Sequence, residues 1–71
     1  MTEFGRWTGT IARWNGSRGF GFIESDNGED DIFVHASQWL DPVPIAKGLR
    51  VSFRIGLDRG GRPCAKAARA I

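Results

Sequence analysis

Apolar and polar residues alternate with period two in short runs, each closed by turn residues. Trp7–Trp14 reads as a first strand ending at Asn15-Gly16-Ser17, and Gly19–Glu24 as a second ending in the polar stretch around Asn27-Gly28. Asp31–His35 is a third. Leu49–Ile55 alternates as a half-buried strand does, Asp58–Gly61 has the composition of a hairpin turn, and Pro63–Ala68 makes the last strand. Between them, Ala36–Gly48 is the longest connection, and Pro42 and Pro44 exclude a central strand there. Only Gln38–Leu40 and Ala65–Ile71 tolerate helix, and neither carries a capped pattern long enough to stand alone.

Five short strands without a covering helix would expose both edges and half their apolar residues in an open sheet. Curling into a small closed barrel removes both problems, and an oligonucleotide-binding barrel or an SH3-like barrel meets that count. Within it, alternation assigns faces. Phe20 and Phe22 share one face of the second strand, opposite Gly21 and Ile23; Phe33 and His35 share one face of the third, opposite Ile32 and Val34. The β-branched Ile23, Ile32 and Val34 suit the interior, which turns the three phenylalanines and His35 outward and within cross-strand reach of one another. The reverse orientation would bury His35 and expose three aliphatics. Gly19 and Gly21, flanking Phe20, are expected to leave its ring open to a base.

An outward row of rings needs a partner. Single-stranded nucleic acid supplies one, because every base has a π face and stacking contributes roughly 1–3 kcal/mol per base. Arg18, at the entrance of the second strand, is placed to meet a phosphate or to stack. A protein segment gripped by the same face, as SH3-like barrels grip proline-rich ligands, is the alternative.

Arg18-Gly19-Phe20-Gly21-Phe22-Ile23 followed by Ile32-Phe33-Val34-His35 resembles the paired RNA-binding motifs of the cold-shock domain family. The resemblance extends through Gly9-x-Ile11, Asp30-Asp31, Val51-Ser52-Phe53 and Gly61-Arg62-Pro63, covering about residues 9–68. RRM domains carry a similar glycine–phenylalanine motif, but in the opposite order and with two helices. The resemblance implies an all-β, five-stranded antiparallel OB-fold barrel, with the whole chain, residues 1–71, as one domain. It implies binding of single-stranded RNA or DNA with weak sequence preference and an RNA-chaperone or cold-shock-type regulatory role. The site residues it implies are Arg13, Trp14, Arg18, Phe20, Phe22, Asp31, Phe33, His35 and Arg62.

The chain departs from the family pattern at three places. Where the family's first strand ends Lys-Trp-Phe-Asn, the preferred ungapped alignment puts Ala12 on the lysine, Arg13 on the tryptophan and Trp14 on the phenylalanine, whereas a gapped one puts Trp14 on the tryptophan and shortens the next turn by one residue. Guanidinium also stacks on bases, so Arg13 keeps a flat group there. Ala36 stands where a phenylalanine often follows the histidine, removing one platform; Trp39 either replaces it or plugs the barrel end with Leu40. Fewer platforms imply weaker binding than in typical members. The variant is also similar to cold-shock-like domains joined to a bacterial membrane domain.

Composition narrows the function classes further. One cysteine, Cys64, excludes an internal disulfide, and with one histidine it cannot make a four-ligand zinc site. Cys64 reads as a small buried apolar residue. His35 has no evident nucleophile partner, and the acids at Glu29–Asp31 lack the calcium-loop pattern, so neither an enzyme nor a metal protein is expected. No cofactor is expected either. No apolar run approaches the roughly 20 residues of a membrane span, and Met1–Thr10 lacks a signal-peptide core; a cytoplasmic, monomeric domain is expected. Net charge is only +2, but six of eight acids lie between Glu24 and Asp41, whereas seven basic residues from Lys47 onward face one acid, Asp58. That asymmetry fits one basic side on a small barrel.

Overall fold

The computed structural model describes residues 6–29 and 32–71. Five strands, β1 (Arg6–Asn15), β2 (Phe20–Ser25), β3 (Ile32–His35), β4 (Arg50–Leu57) and β5 (Pro63–Ala70), close into a barrel in the order β1-β2-β3-β5-β4. Four seams are antiparallel; the closing seam, β3 against β5, runs parallel through the Phe33–Cys64 pair. β4 and β5 run two residues further than alternation alone indicates, and the helix-tolerant C-terminal stretch is strand. The Ala36–Gly48 connection holds a single 3-10 turn, Ala36–Gln38.

Ile11, Ile23, Ile32, Val34, Val51 and Phe53 are completely buried, with Ala65 and Ala68 filling the narrow places between them. Cys64 is buried as expected. Trp7 leans on Phe53 across the β1–β4 seam, ring centroids 6.2 Å apart, and so closes one edge of the core. Trp39 is packed as a plug rather than a platform, but without Leu40, which is exposed. Its ring packs against the core, its indole N–H donates to Val43 O at 2.7 Å, and its backbone bridges Ala68.

Two bulges break the alternation. In β1, Ile11 faces Ile23 and Arg13 faces Phe22, so Ala12 is an extra residue that reverses the parity of everything after it. In β5, Lys66 faces Arg54 while Arg69 faces Ser52, and Ala67 carries the irregularity at φ 50°. Its N–H is held by Gln38 Oε1 and its carbonyl accepts from the Arg6 guanidinium. Left-handed backbone costs a residue with a Cβ roughly 1–2 kcal/mol, and a β-branched one more.

At the far end of the barrel Asp26 ties three strands. Arg50 donates to both its carboxylate oxygens at 2.7 Å, Thr8 Oγ1 adds a third bond, and Arg50 also reaches Thr10 Oγ1. The Arg50 hydrogen bonds, then that of Thr8, hold the Asp26 carboxyl well below the usual carboxylate range.

Two outcomes follow for stability. Because the folded pKa of Asp26 is depressed, its contribution is present above the ordinary value of 3.8 and is lost as pH falls from there toward the folded value. The gap in thermal midpoint between wild type and Asp26→Asn is therefore expected to be widest at neutral pH and to narrow under acid. A pH-independent gap would show that the ion pair contributes nothing. At the β5 bulge, Ala67→Val is expected to lower unfolding free energy by about 1–2 kcal/mol while Ala67→Gly does not lower it, measured by denaturant titration.

Candidate nucleic-acid interface

β2 and β3 pair so that Phe20 faces His35 and Phe22 faces Phe33. With Ile23, Ile32 and Val34 locked in the core, the opposite faces of both strands must look outward, and they do: His35 is exposed and the three phenylalanines are half-buried by one another. Phe20 and Phe33 stack at 5.7 Å between centroids, Phe22 meets each of them edge-on, and Phe33 lies 6.4 Å from the His35 ring. Edge-to-face packing fixes the rings in place, so a base meeting them costs little further ordering.

His35 begins the 3-10 turn, and the backbone N–H of Ser37 donates to its Nδ1 at 3.1 Å. A backbone N–H can only donate, so Nδ1 accepts and the neutral ring carries its proton on Nε2. The Ser37 hydroxyl, 2.9 Å from the same nitrogen, belongs to this cap.

The β1 bulge brings Arg13 to this face. Its guanidinium lies over the Phe22 ring, 5.0 Å from the centroid, a cation–π contact that extends the aromatic row by one flat group. Plain alternation from buried Ile11 would have pointed Arg13 into the core. Trp14 consequently turns the other way, half-buried over Gly21, and lines a hollow of about 460 Å³ with Arg13, Phe20, Phe22 and Lys47. It is a wall of the site and not part of the row. Lys47, which sequence reasoning passed over, comes from the long connection with no local motif to mark it.

Gly21 faces inward, as alternation assigns it, but its role differs from the expected one: a Cβ there would collide with Arg13 O and lie 2.8 Å from the Trp14 ring. Its missing side chain admits the bulged β1 backbone, and exposure of Phe20 is a consequence of strand parity. Gly19 serves the turn: at φ 74° it donates to Asn15 O and accepts from the Ala36 N–H.

Arg62 sits at the opposite edge, lining a second hollow with Arg13, Phe22, Phe33 and Pro63. Asp58 caps the β4–β5 turn, accepting from the Gly60 and Arg62 N–H groups, and its second oxygen takes the Arg62 Nε at 3.1 Å. The Arg62 backbone bond leads the contacts that lower the Asp58 pKa. Arg18 is exposed in the β1–β2 turn, its N–H on Asn15 Oδ1. Asp31 lies outside the described residues. Among the described residues no cluster of His, Cys, Asp or Glu could hold a metal ion, and no helix is long and apolar enough to cross a membrane.

Comparison with known proteins points the same way. The family described as 'Cold-shock' DNA-binding domain matches residues 7–70. The cold shock-like protein CspA of Vibrio cholerae is 38% identical over 61 residues, covering 83% of this chain and 87% of that protein. Cold shock protein CspC of Bacillus subtilis is 38% identical over 64 residues, covering 87% and 96%. Among solved structures, Drosophila Unr CSD456 superposes with a TM-score of 0.78 at 27% identity, over 93% of this chain and 26% of that one.

Gly21→Ala is expected to destabilise the barrel by about 1–3 kcal/mol through overpacking against the β1 backbone, read by chemical denaturation. Full stability in this variant would mean that the bulge is not held by close contact with β2.

Proposed function

The chain belongs to the cold-shock domain family of non-enzymatic nucleic-acid-binding proteins, and from that premise we propose that it binds single-stranded RNA or DNA with weak base preference across the Phe20–Phe22–Phe33–His35 face. The observation that carries this reading is the packed outward row of three phenylalanines and a histidine with a guanidinium over one end. Successive bases stack on the rings. Arg13 offers a flat cation at one end of the row and Arg62 at the other, while Lys47 and Arg18 lie where phosphates leave the platform. Trp14 walls the first hollow, and Asp31, the residue before β3 in sequence, is assigned the role of acceptor for a base edge. The His35 Nε2 proton is a donor to a base or a phosphate.

A surface that holds unpaired bases by stacking lowers the free energy of the melted state of an RNA hairpin, so binding alone shifts the equilibrium toward melting without ATP. This is the basis for an RNA-chaperone role in the cytoplasm, carried out by a monomer whose residues 1–71 act as one domain. Loss of the platform at Ala36 and the use of Trp39 as a plug reduce the number of stacked bases. Affinity below that of members with a fuller row follows.

Phe22→Ala and Phe33→Ala are each expected to weaken binding of a short oligo-dT by roughly 5- to 150-fold, the equivalent of losing one stacked base at 1–3 kcal/mol. Their side chains lie outside the core, so thermal midpoints are expected to hold. Wild-type affinity is expected to fall with salt at a log–log slope of about −0.7 per phosphate contacted. Binding that ignores both the phenylalanines and salt would instead point to a protein segment as the ligand.

A further inference from the structure

The basic residues of the C-terminal half are not used up by the aromatic face. Arg50 is paired with Asp26 and Arg62 with Asp58. Arg54, Lys66 and Arg69 are exposed on the outer face of β4 and β5, and among the described residues none of the three has an acidic partner. Register concentrates them: Arg6 faces Arg54 across the β1–β4 seam, Arg54 faces Lys66 across the β4–β5 seam, and Arg69 faces Ser52 one step along. Like charges directly opposite on neighbouring strands destabilise a sheet. Arg54 and Lys66, directly opposite each other, are therefore a cost that the fold does not require, whereas Arg6 beside them is used by the fold, donating to Ala67 O and Ser52 Oγ.

The backbone is bent to produce this arrangement. Lys66 and Arg69 are three residues apart and would lie on opposite faces of a regular strand. The bulge at Ala67, in strained left-handed conformation, turns both outward. Across the strand, Gly56 leaves room for the Lys66 stem: a Cβ there would be 3.2 Å from both Lys66 Cγ and Cε. Lys66 also lines a groove of about 150 Å³ at the β3–β5 seam with Phe33, His35, Ser37 and Gln38. That groove brings two rings of the aromatic face together with Lys66, the one of the three cations that lines it, and β3 and β5 are joined there by a single strand pair, Phe33–Cys64.

We propose that Arg54, Lys66 and Arg69 form a phosphate track, reached through the β3–β5 groove, that binds the sugar–phosphate backbone of a single strand extending beyond the aromatic face. This extension rests on the stacking reading for its continuity with the rings. The track itself contacts phosphates and reads no base. Asp58, the one acid lining the groove, has its charge matched by Arg62.

The test compares wild type with Arg54→Gln/Lys66→Gln/Arg69→Gln, using oligo-dT of about six and about twenty nucleotides and an abasic deoxyribose-phosphate strand of the longer length. The triple variant is expected to lose about tenfold or more in affinity for the long oligonucleotide at low salt, with a log–log salt slope shallower by about 2, or 0.7 for each of three phosphates. The short oligonucleotide is expected to change far less. Wild type is expected to bind the abasic strand, the triple variant not, and Phe22→Ala/Phe33→Ala as well as wild type does. Arg54→Lys/Arg69→Lys, which keeps the charges, is expected to retain abasic binding, and equal thermal midpoints exclude misfolding. Equal losses for short and long strands, or undiminished abasic binding in the triple variant, would overturn the track. Normal oligo-dT binding by Phe22→Ala/Phe33→Ala would overturn only the stacking reading.

Discussion

Strand geometry leaves each side chain of β2 and β3 a choice of two directions, and the barrel interior has room for only one set. Ile23, Ile32 and Val34 fill that interior with no exposed surface, packed on Ile11, Val51 and Phe53. Each such aliphatic contributes about 1.5–3 kcal/mol when buried. A one-residue slip would exchange them for Phe22, Phe33 and His35, moving every ring into a space already matched to smaller branched chains and burying an imidazole. The outward aromatic row is thus a mechanical consequence of the core. Its rings then shield one another, which is how three phenylalanines stay on a surface half-buried instead of fully wet.

Alternation holds only while the strand stays regular, and the two departures from it concern charge. Ala12 and Ala67 are extra residues in β1 and β5, and each turns cations outward: Arg13 onto Phe22, Lys66 and Arg69 onto the β4–β5 face. Both bulged residues are alanines, small enough to be accommodated without disturbing the core. Ala67 also needs outside support, since Gln38 and Arg6 hold its two backbone polar groups in a conformation that alanine avoids.

These features explain what could be seen in the chain beforehand. Strand positions, the barrel and the outward set were legible because period-two alternation and the Asn-Gly, Asp-x-x-Gly and Pro signals act locally. Arg13 on the face was legible only through ungapped alignment with a family pattern; hydropathy from Ile11 onward pointed it inward. The Asp26–Arg50 clamp joins residues far apart in sequence, and no local pattern announces it; for Trp39 the sequence left two readings open, and only its packing on the core and its bridge to Ala68 decide between them. The inward face of Gly21 was legible from alternation but its use was not, because a glycine that leaves a ring open and a glycine beneath a crossing backbone look identical in one dimension. Charge asymmetry was visible, but whether the cations shared one face depended on a bulge that a run of Ala65-Lys66-Ala67-Ala68-Arg69 does not advertise.

The same physics sets what Arg13 can and cannot replace. A tryptophan at that position would offer a base a large apolar surface, whose stacking survives salt because it involves no counterion release. A guanidinium offers less area and a full charge, so part of its attraction goes to phosphates and weakens as ions accumulate. With Ala36 removing another ring, the balance of this face moves from stacking toward electrostatics. Weaker stacking with more cationic contact makes binding less selective for bases and more dependent on strand length and ionic strength. For the RNA-chaperone role proposed above that direction is tolerable: a strand must be held loosely enough to be released, and any sequence must be accepted.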